Sequence, residues 1–155
     1  MLLLVMICGV SCNQGVVFSE YTALKNGIWQ QQDKISFEFS APETTARHHL
    51  FVNIRNDNSY EFSNLFLILQ LEAPDGKIVI DTLEYEMALP DGTWLGEGAG
   101  SVKENKLWYR ENINFQDSGV YTLAIRHAMR RNGDVDGIDQ LKGITDIGLQ
   151  IEKAN

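Results

Sequence analysis

Hydrophobic and polar positions alternate with period two along most of this chain, and the densest run lies between His49 and Leu89. Leu50, Val52 and Ile54 alternate with Phe51, Asn53 and Arg55, the pattern of a strand with one face on a core. After a polar loop, Asn56–Asn64, the segment Leu65–Leu71 puts Leu65, Leu67, Leu69 and Leu71 on one face and Phe66 and Ile68 on the other. Apolar residues on both faces predict a central strand covered on both sides. Pro74-Asp75-Gly76 reads as a turn, with φ preset at Pro and positive φ open to Gly. Ile78 and Ile80 begin the next strand, but Leu83, Tyr85, Met87 and Leu89 fall on the opposite parity, which predicts a bulge or bend near Asp81-Thr82. A second turn, Pro90-Asp91-Gly92, closes the run.

The same reading extends outward. Val16–Tyr21 is a first strand, followed by an Asn26-Gly27 turn with Trp29 packing beyond it. Lys34–Ser40 points Ile35, Phe37 and Phe39 inward, and Lys106–Phe115 carries Leu107, Tyr109, Ile113 and Phe115 on one parity. Asp117-x-Gly119-x-Tyr121 resembles the corner of immunoglobulin-like sandwiches, in which a tyrosine hydroxyl ties a loop to the entering strand. Met129–Gly143 reads as a long polar loop with at most a helical turn, and Ile147, Leu149 and Ile151 form a last strand. With no amphipathic helix and about eight or nine short strands between Gly, Pro and Asp turns, the fold class is all-β. The expected architecture is a two-layer antiparallel β-sandwich, jelly-roll or immunoglobulin-like.

The first eleven residues, MLLLVMICGVS, break this pattern, being uncharged and mostly apolar. Such a run falls short of the roughly 20 apolar residues of a spanning helix but suits the core of a signal peptide. Small residues lead directly into Cys12, which looks like a bacterial lipobox: residues 1–11 are removed, the Cys12 thiol carries lipid such as palmitate, and 12–155 form one domain on a short tether, Asn13–Gly15. Gly9 and the lack of a preceding Lys or Arg depart from the usual form, and the competing reading is an N-terminal strand with a free thiol. Cys8 and Cys12 are the two cysteines, so the exported domain would have none to pair and must stand on its core. A net charge of −8 disfavours nucleic acid and anionic lipid headgroups as partners.

Candidate chemistry is sparse. Gly96, Gly98 and Gly100 crowd one loop, but a strand pattern follows where a phosphate site needs a helix N-terminus. Asn132–Gly137 matches half of a calcium loop, yet Gly143 stands where the closing Glu belongs, so a solvated acidic turn and no metal is expected. His48 and His49 are neighbours on a strand, point to opposite faces and cannot share one metal ion. His127 stands apart, and no motif for a nucleophile or a zinc hydrolase occurs. Carboxylates such as Asp81, Glu84 and Glu86 have ordinary strand spacing, so no catalysis and no cofactor is expected. Trp29, Trp94 and Trp108 could form a sugar-stacking face; Trp108 is placed either on an exposed sheet face or in the core.

The order of short motifs resembles the GldH family of gliding-motility lipoproteins of Bacteroidetes-type bacteria. It runs from Cys12 through Asn53-Ile54-Arg55-Asn56, Tyr60, Ser63-Asn64-Leu65 and Pro74-Asp75-Gly76 to Asp81-Thr82-Leu83-Glu84. Gly92–Gly98, Gly119-Val120-Tyr121, Ala128-Met129-Arg130 and Gly143–Leu149 complete it, while Asn132–Gln140 is longer than the family's connection. The resemblance implies an outer-membrane lipoprotein facing the periplasm, needed by a gliding apparatus linked to type IX secretion. It implies no enzymatic activity, and its partners would be other envelope lipoproteins and proteins of that machinery. Candidate partner-binding residues are Arg55, Asn56, Tyr60 and Asn64 on one loop, Trp94, Gly96 and Gly98 on another, and Arg130 at a strand end. Competing structural roles pair Arg55 with Glu61 and give Asn64 a turn-capping role. A glycan-binding envelope lipoprotein is the alternative function, and a hydrolase of envelope material the third.

Overall fold

The computed structural model describes residues 15–154; the signal segment 1–11 and Cys12 lie outside them. Ten strands run in order: β1 (Val16–Ala23), β2 (Ile28–Gln30), β3 (Ile35–Ser40), β4 (His48–Asn56), β5 (Asn64–Glu72), β6 (Ile78–Glu86), β7 (Lys103–Ile113), β8 (Val120–His127), β9 (Gln140–Lys142) and β10 (Ile144–Lys153). A single 3-10 turn, Lys25–Gly27, separates β1 from β2, with Asn26 and Gly27 both at positive φ as the Asn-Gly pair predicts.

Two four-stranded antiparallel sheets form the sandwich, in the orders β1-β10-β4-β7 and β3-β8-β5-β6. Leaving aside the short pair β2–β9, the strands couple outermost to innermost: β1 with β10, β3 with β8, β4 with β7 and β5 with β6. That is a hairpin rolled onto itself, the jelly-roll topology, and it decides between the two architectures the pattern allowed. The tyrosine corner is nonetheless present, since the Asp117 amide donates to the Tyr121 hydroxyl at 3.3 Å.

The alternation places the core as expected. Leu50, Val52, Ile54, Ile147, Leu149 and Ile151 from the first sheet meet Phe37, Phe39, Leu65, Leu67, Leu69, Leu123 and Ile125 from the second, all buried.

Three expectations change. β5 is interior to its sheet, but Phe66 and Ile68 on its second face are half-exposed, so among the described residues no layer covers that face. β6 has no bulge: it pairs with β5 in unbroken register from Ile78 to Glu86. Its inward row contains Asp81, held by Arg110 Nη2 at 2.6 Å and Tyr109 Oη at 3.1 Å, and Ile78 and Ile80 face outward. The apparent change of parity was a charged residue inside and isoleucines outside. Finally, the polar stretch 129–143 contains β9, which pairs with β2 and buries Trp29 and Leu141 over one end of the core.

The two ends of the sandwich differ. At one, Gly15 O accepts the Lys153 amide at 2.7 Å, Ala154 bonds to Arg47 and Ala41 to Gly119, and the connections are tight. At the other, the longer segments 57–63, 87–102 and 128–139 come together with β2 and β9.

Candidate functional site

The end carrying the long loops gathers several of the predicted residues. Asp57 starts its loop by donating its amide to Gly143 O at 2.9 Å. Gly143 has φ +88, and a Cβ there would fall 2.2 Å from the Tyr60 nitrogen, so only glycine fits. Tyr60 is buried, its hydroxyl donates to Asn64 O at 2.6 Å, and burial raises its pKa above the usual phenol range. Trp94 is half-buried against it, ring centroids 6.2 Å apart, with Nε1 donating to Asn58 Oδ1 at 3.2 Å. A groove of ≈ 410 Å³ opens here, lined by Tyr60, Phe62, Ser63, Leu89, Pro90 and Trp94 among others. Phe62 also lines a second depression of ≈ 640 Å³ containing Asn64, Arg130 and Arg131. Tyr60, Asn64, Trp94 and Arg130 thus belong to two depressions that share a wall.

The remaining candidates lie elsewhere. Asn56 is fully buried and accepts the Asn105 side-chain amide at 2.9 Å, a supporting role rather than an exposed one. Gly96 packs directly on Asn105, where a Cβ would come within 2.8 Å, and Gly98 adopts φ +137 beneath Val102 O. Both glycines let their loop approach β7 closely. Arg55 faces out from the first sheet and pairs with Glu104 at 3.1 Å, not with Glu61, whose partner is Arg131 at 3.3 Å. Asn64 Nδ2 donates to Glu84 Oε1 at 2.7 Å.

Arg55 belongs to a network that motif reading missed. Its guanidinium lies 4.4 Å above the Tyr21 ring, Tyr21 donates to Glu104, and Asn53 donates to Tyr21 Oη at 2.8 Å and Gln150 Oε1 at 2.9 Å. Burial, reinforced by the Glu104 carboxylate, pushes the Tyr21 pKa up to about 12. Beside this network Trp108 is 52% exposed and rests on Phe51 (4.4 Å) and His49 (5.0 Å), with Lys106 Nζ 4.1 Å from the Phe51 ring centroid. Trp29 is buried, so the three tryptophans do not converge.

Among the described residues no three His, Cys, Asp or Glu side chains are placed to hold a metal ion. His48 and His127 are buried, and desolvation lowers the pKa of each. Glu86, Glu97 and Glu104 border an open depression of ≈ 670 Å³, but Glu104 is committed to Tyr21 and Arg55.

Fold and surface together define a jelly-roll sandwich with its longest loops, half-buried aromatics and exposed arginines gathered at one end. The family model for the GldH lipoprotein matches residues 16–151, and the chain belongs to that family. The chain is 50% identical over 145 residues to the gliding motility lipoprotein GldH homolog of Christiangramia forsetii, covering 94% of this chain and 88% of that protein. It is 42% identical over 152 residues to the gliding motility lipoprotein GldH of Flavobacterium johnsoniae, covering 98% and 94%. Among solved structures, the VP2 subviral particle of infectious bursal disease virus superposes with a TM-score of 0.43 at 16% identity, covering 86% of this chain and 32% of that one.

Proposed function

We propose that this protein is a non-catalytic component of a gliding apparatus linked to type IX secretion, anchored in the outer membrane by lipid on Cys12, facing the periplasm and binding another envelope protein through its long-loop end. The observation that carries this reading is the Tyr60–Trp94–Phe62 groove with Arg130 in the adjoining depression. It offers a partly exposed tryptophan on a rigid, buried tyrosine, the arrangement of an interface anchor. The relatives' names supply the gliding context. Tyr60, Asn64 and the Trp94 indole are engaged in structural bonds, which favours docking over chemistry.

Trp94→Ala tests it. Truncating an interface tryptophan costs on the order of 2 kcal/mol or more of binding. Colony spreading and recovery of the envelope partner should therefore fall, while the thermal midpoint moves by less than about 4 °C. Full motility with Trp94→Ala, or early unfolding, would overturn the assignment of this ring to an interface.

A second reading, glycan capture, is favoured by one feature, the exposed Trp108 ring on its Phe51–His49 shelf. Quenching of tryptophan fluorescence by envelope polysaccharide, lost in Trp108→Ala, would support it; an unchanged spectrum at saturating polysaccharide would remove it.

A further inference from the structure

Lys77-Ile78-Val79-Ile80-Asp81 reads backwards as Asp, Ile, Val, Ile, Lys, so the segment is complementary to itself in antiparallel alignment. In the fold it opens β6, the edge strand of the second sheet, whose ladder pairing among the described residues is to β5 alone. Natural edges are blunted by proline, bulges, lysines and other charges within the strand, including charges that point inward. β6 has no proline, bulge or lysine, and its inward charge, Asp81, is held by Arg110 and Tyr109, so the opening residues Ile78–Ile80 carry none of these devices. Its first three residues are instead exposed in succession: Ile78 at 49%, Val79 at 37% and Ile80 at 63%. Ile78 and Ile80 face outward and Val79 faces the other way, so both faces of the same free edge are apolar and open. A helix or a flat surface could cover one of those faces. A further strand covers both and also takes up the unpaired N–H and C=O groups.

We propose that β6 is a self-association edge, on which a second copy of this chain pairs antiparallel about a two-fold axis through Val79. In that register Val79 faces Val79, Ile78 faces Ile80, and Lys77 faces Asp81 of the other copy. Asp81 Oδ2 already holds Arg110 and Tyr109, while Oδ1 accepts no hydrogen bond among the described residues and can take the incoming ammonium. Shifting the axis to Ile80 sets Val79 against Asp81 and Lys77 against Leu83. Shifting it to Asp81 sets two carboxylates together and Ile78 against Glu84. The Val79 register alone matches both apolarity and charge.

A two-fold axis normal to the sheet joins two four-stranded sheets into one and leaves both β1-containing sheets on the same side of it. Because β7 stands over β6 and β1 over β3, the two Gly15 ends lie on that side at the outer flanks of the pair, level with the axis along the strands, and the long-loop ends point away from each other. This geometry lets two lipid anchors enter one membrane, a point that rests on the lipoprotein reading above; the strand pairing itself does not. Five facing residues per copy bury much less than the roughly 1,200 Å² of a stable soluble complex. Pairing is therefore weak in dilute solution and depends on confinement to a membrane, which raises the effective concentration.

The test uses the full-length protein in its native envelope. The sequence has cysteines only at 8 and 12, so an introduced thiol reports contacts cleanly. Oxidation of Val79→Cys should yield a disulfide-linked species of twice the mass, whereas Ser36→Cys, exposed on β3 at the opposite edge of that sheet, should yield none. Ile78→Cys co-expressed with a tagged Ile80→Cys should give the mixed dimer, which fixes the register. Adding Ile80→Lys to Val79→Cys should lower the yield about tenfold or more with unchanged thermal unfolding, since two apolar pairs are lost per dimer. Failure of Val79→Cys to cross-link, equal yield from Ser36→Cys, or a product joined to a different protein would each overturn the proposal. Fractionation and spreading of the same cells report separately on the anchor and on the motility role.

Discussion

His127 shows how one side chain ties this fold to pH. Its ring lies edge-on to Trp29 at 5.4 Å, Nδ1 accepts the Met129 amide at 3.4 Å, and Nε2 is buried without a partner. Burial holds its pKa below the ordinary histidine value, and His48 at the opposite end is shifted in the same direction for the same reason. The unfolded chain therefore binds protons more readily than the folded one. Stability is fully present above the unfolded value, about 6.5, and is lost as pH falls through the lower folded values. Denaturant midpoints should accordingly drop between about pH 6.5 and pH 5, before carboxylates contribute. His127→Asn, which keeps an acceptor for the Met129 amide without the titration, should flatten part of that slope. An unchanged slope in the variant would mean that His127 takes up its proton equally in the folded and unfolded chains.

At the scale of elements, the strands that follow strict alternation were legible in advance. β3, β4 and β10 bury the predicted rows, and both Pro-Asp-Gly turns form, with Asp75 and Asp91 each accepting an amide two residues on at 2.9 Å. Leu69, on the buried face of β5, is fully buried in the core that both sheets share, and Leu69→Ala should cost on the order of 2–5 kcal/mol in equilibrium unfolding. Wild-type stability in that variant would contradict the central position of β5. β6 was misread because an ion pair satisfies Asp81 inside while isoleucines stand outside, and parity counting knows nothing of partners 29 positions away. β2 and β9, at three residues each, are too short to leave a periodic trace. Of the candidate site, the motifs led to Tyr60, Asn64, Trp94 and Arg130, but nothing in the local pattern separated these from the buried Asn56 or the closely packed Gly96. That division depends on Asn105, which comes from β7.

At the scale of the whole molecule, the jelly roll gives the domain a polarity. Its tight end contains Gly15, bonded through Lys153, only three residues after Cys12. Its long-loop end lies a strand length away, nine residues in β4, or about 30 Å at roughly 3.3 Å per residue. A lipid on Cys12 would thus hold the domain within about 10 Å of the bilayer surface through its tether. Fold and anchor are expected to be separable in this arrangement, because β1 is paired with β10 from Val16 onward. Cys12→Ser should therefore abolish palmitate labelling and move the protein from the membrane to the soluble fraction while leaving its thermal unfolding and circular dichroism unchanged. Motility should be lost with the anchor even though the Trp94 groove stays intact, since on the function proposed above the groove acts only while it is held at the membrane. Cys12→Ser protein that remains in the membrane fraction and still supports spreading would refute the lipid anchor at this position, and would turn attention to the apolar segment 1–11 as what holds the chain there.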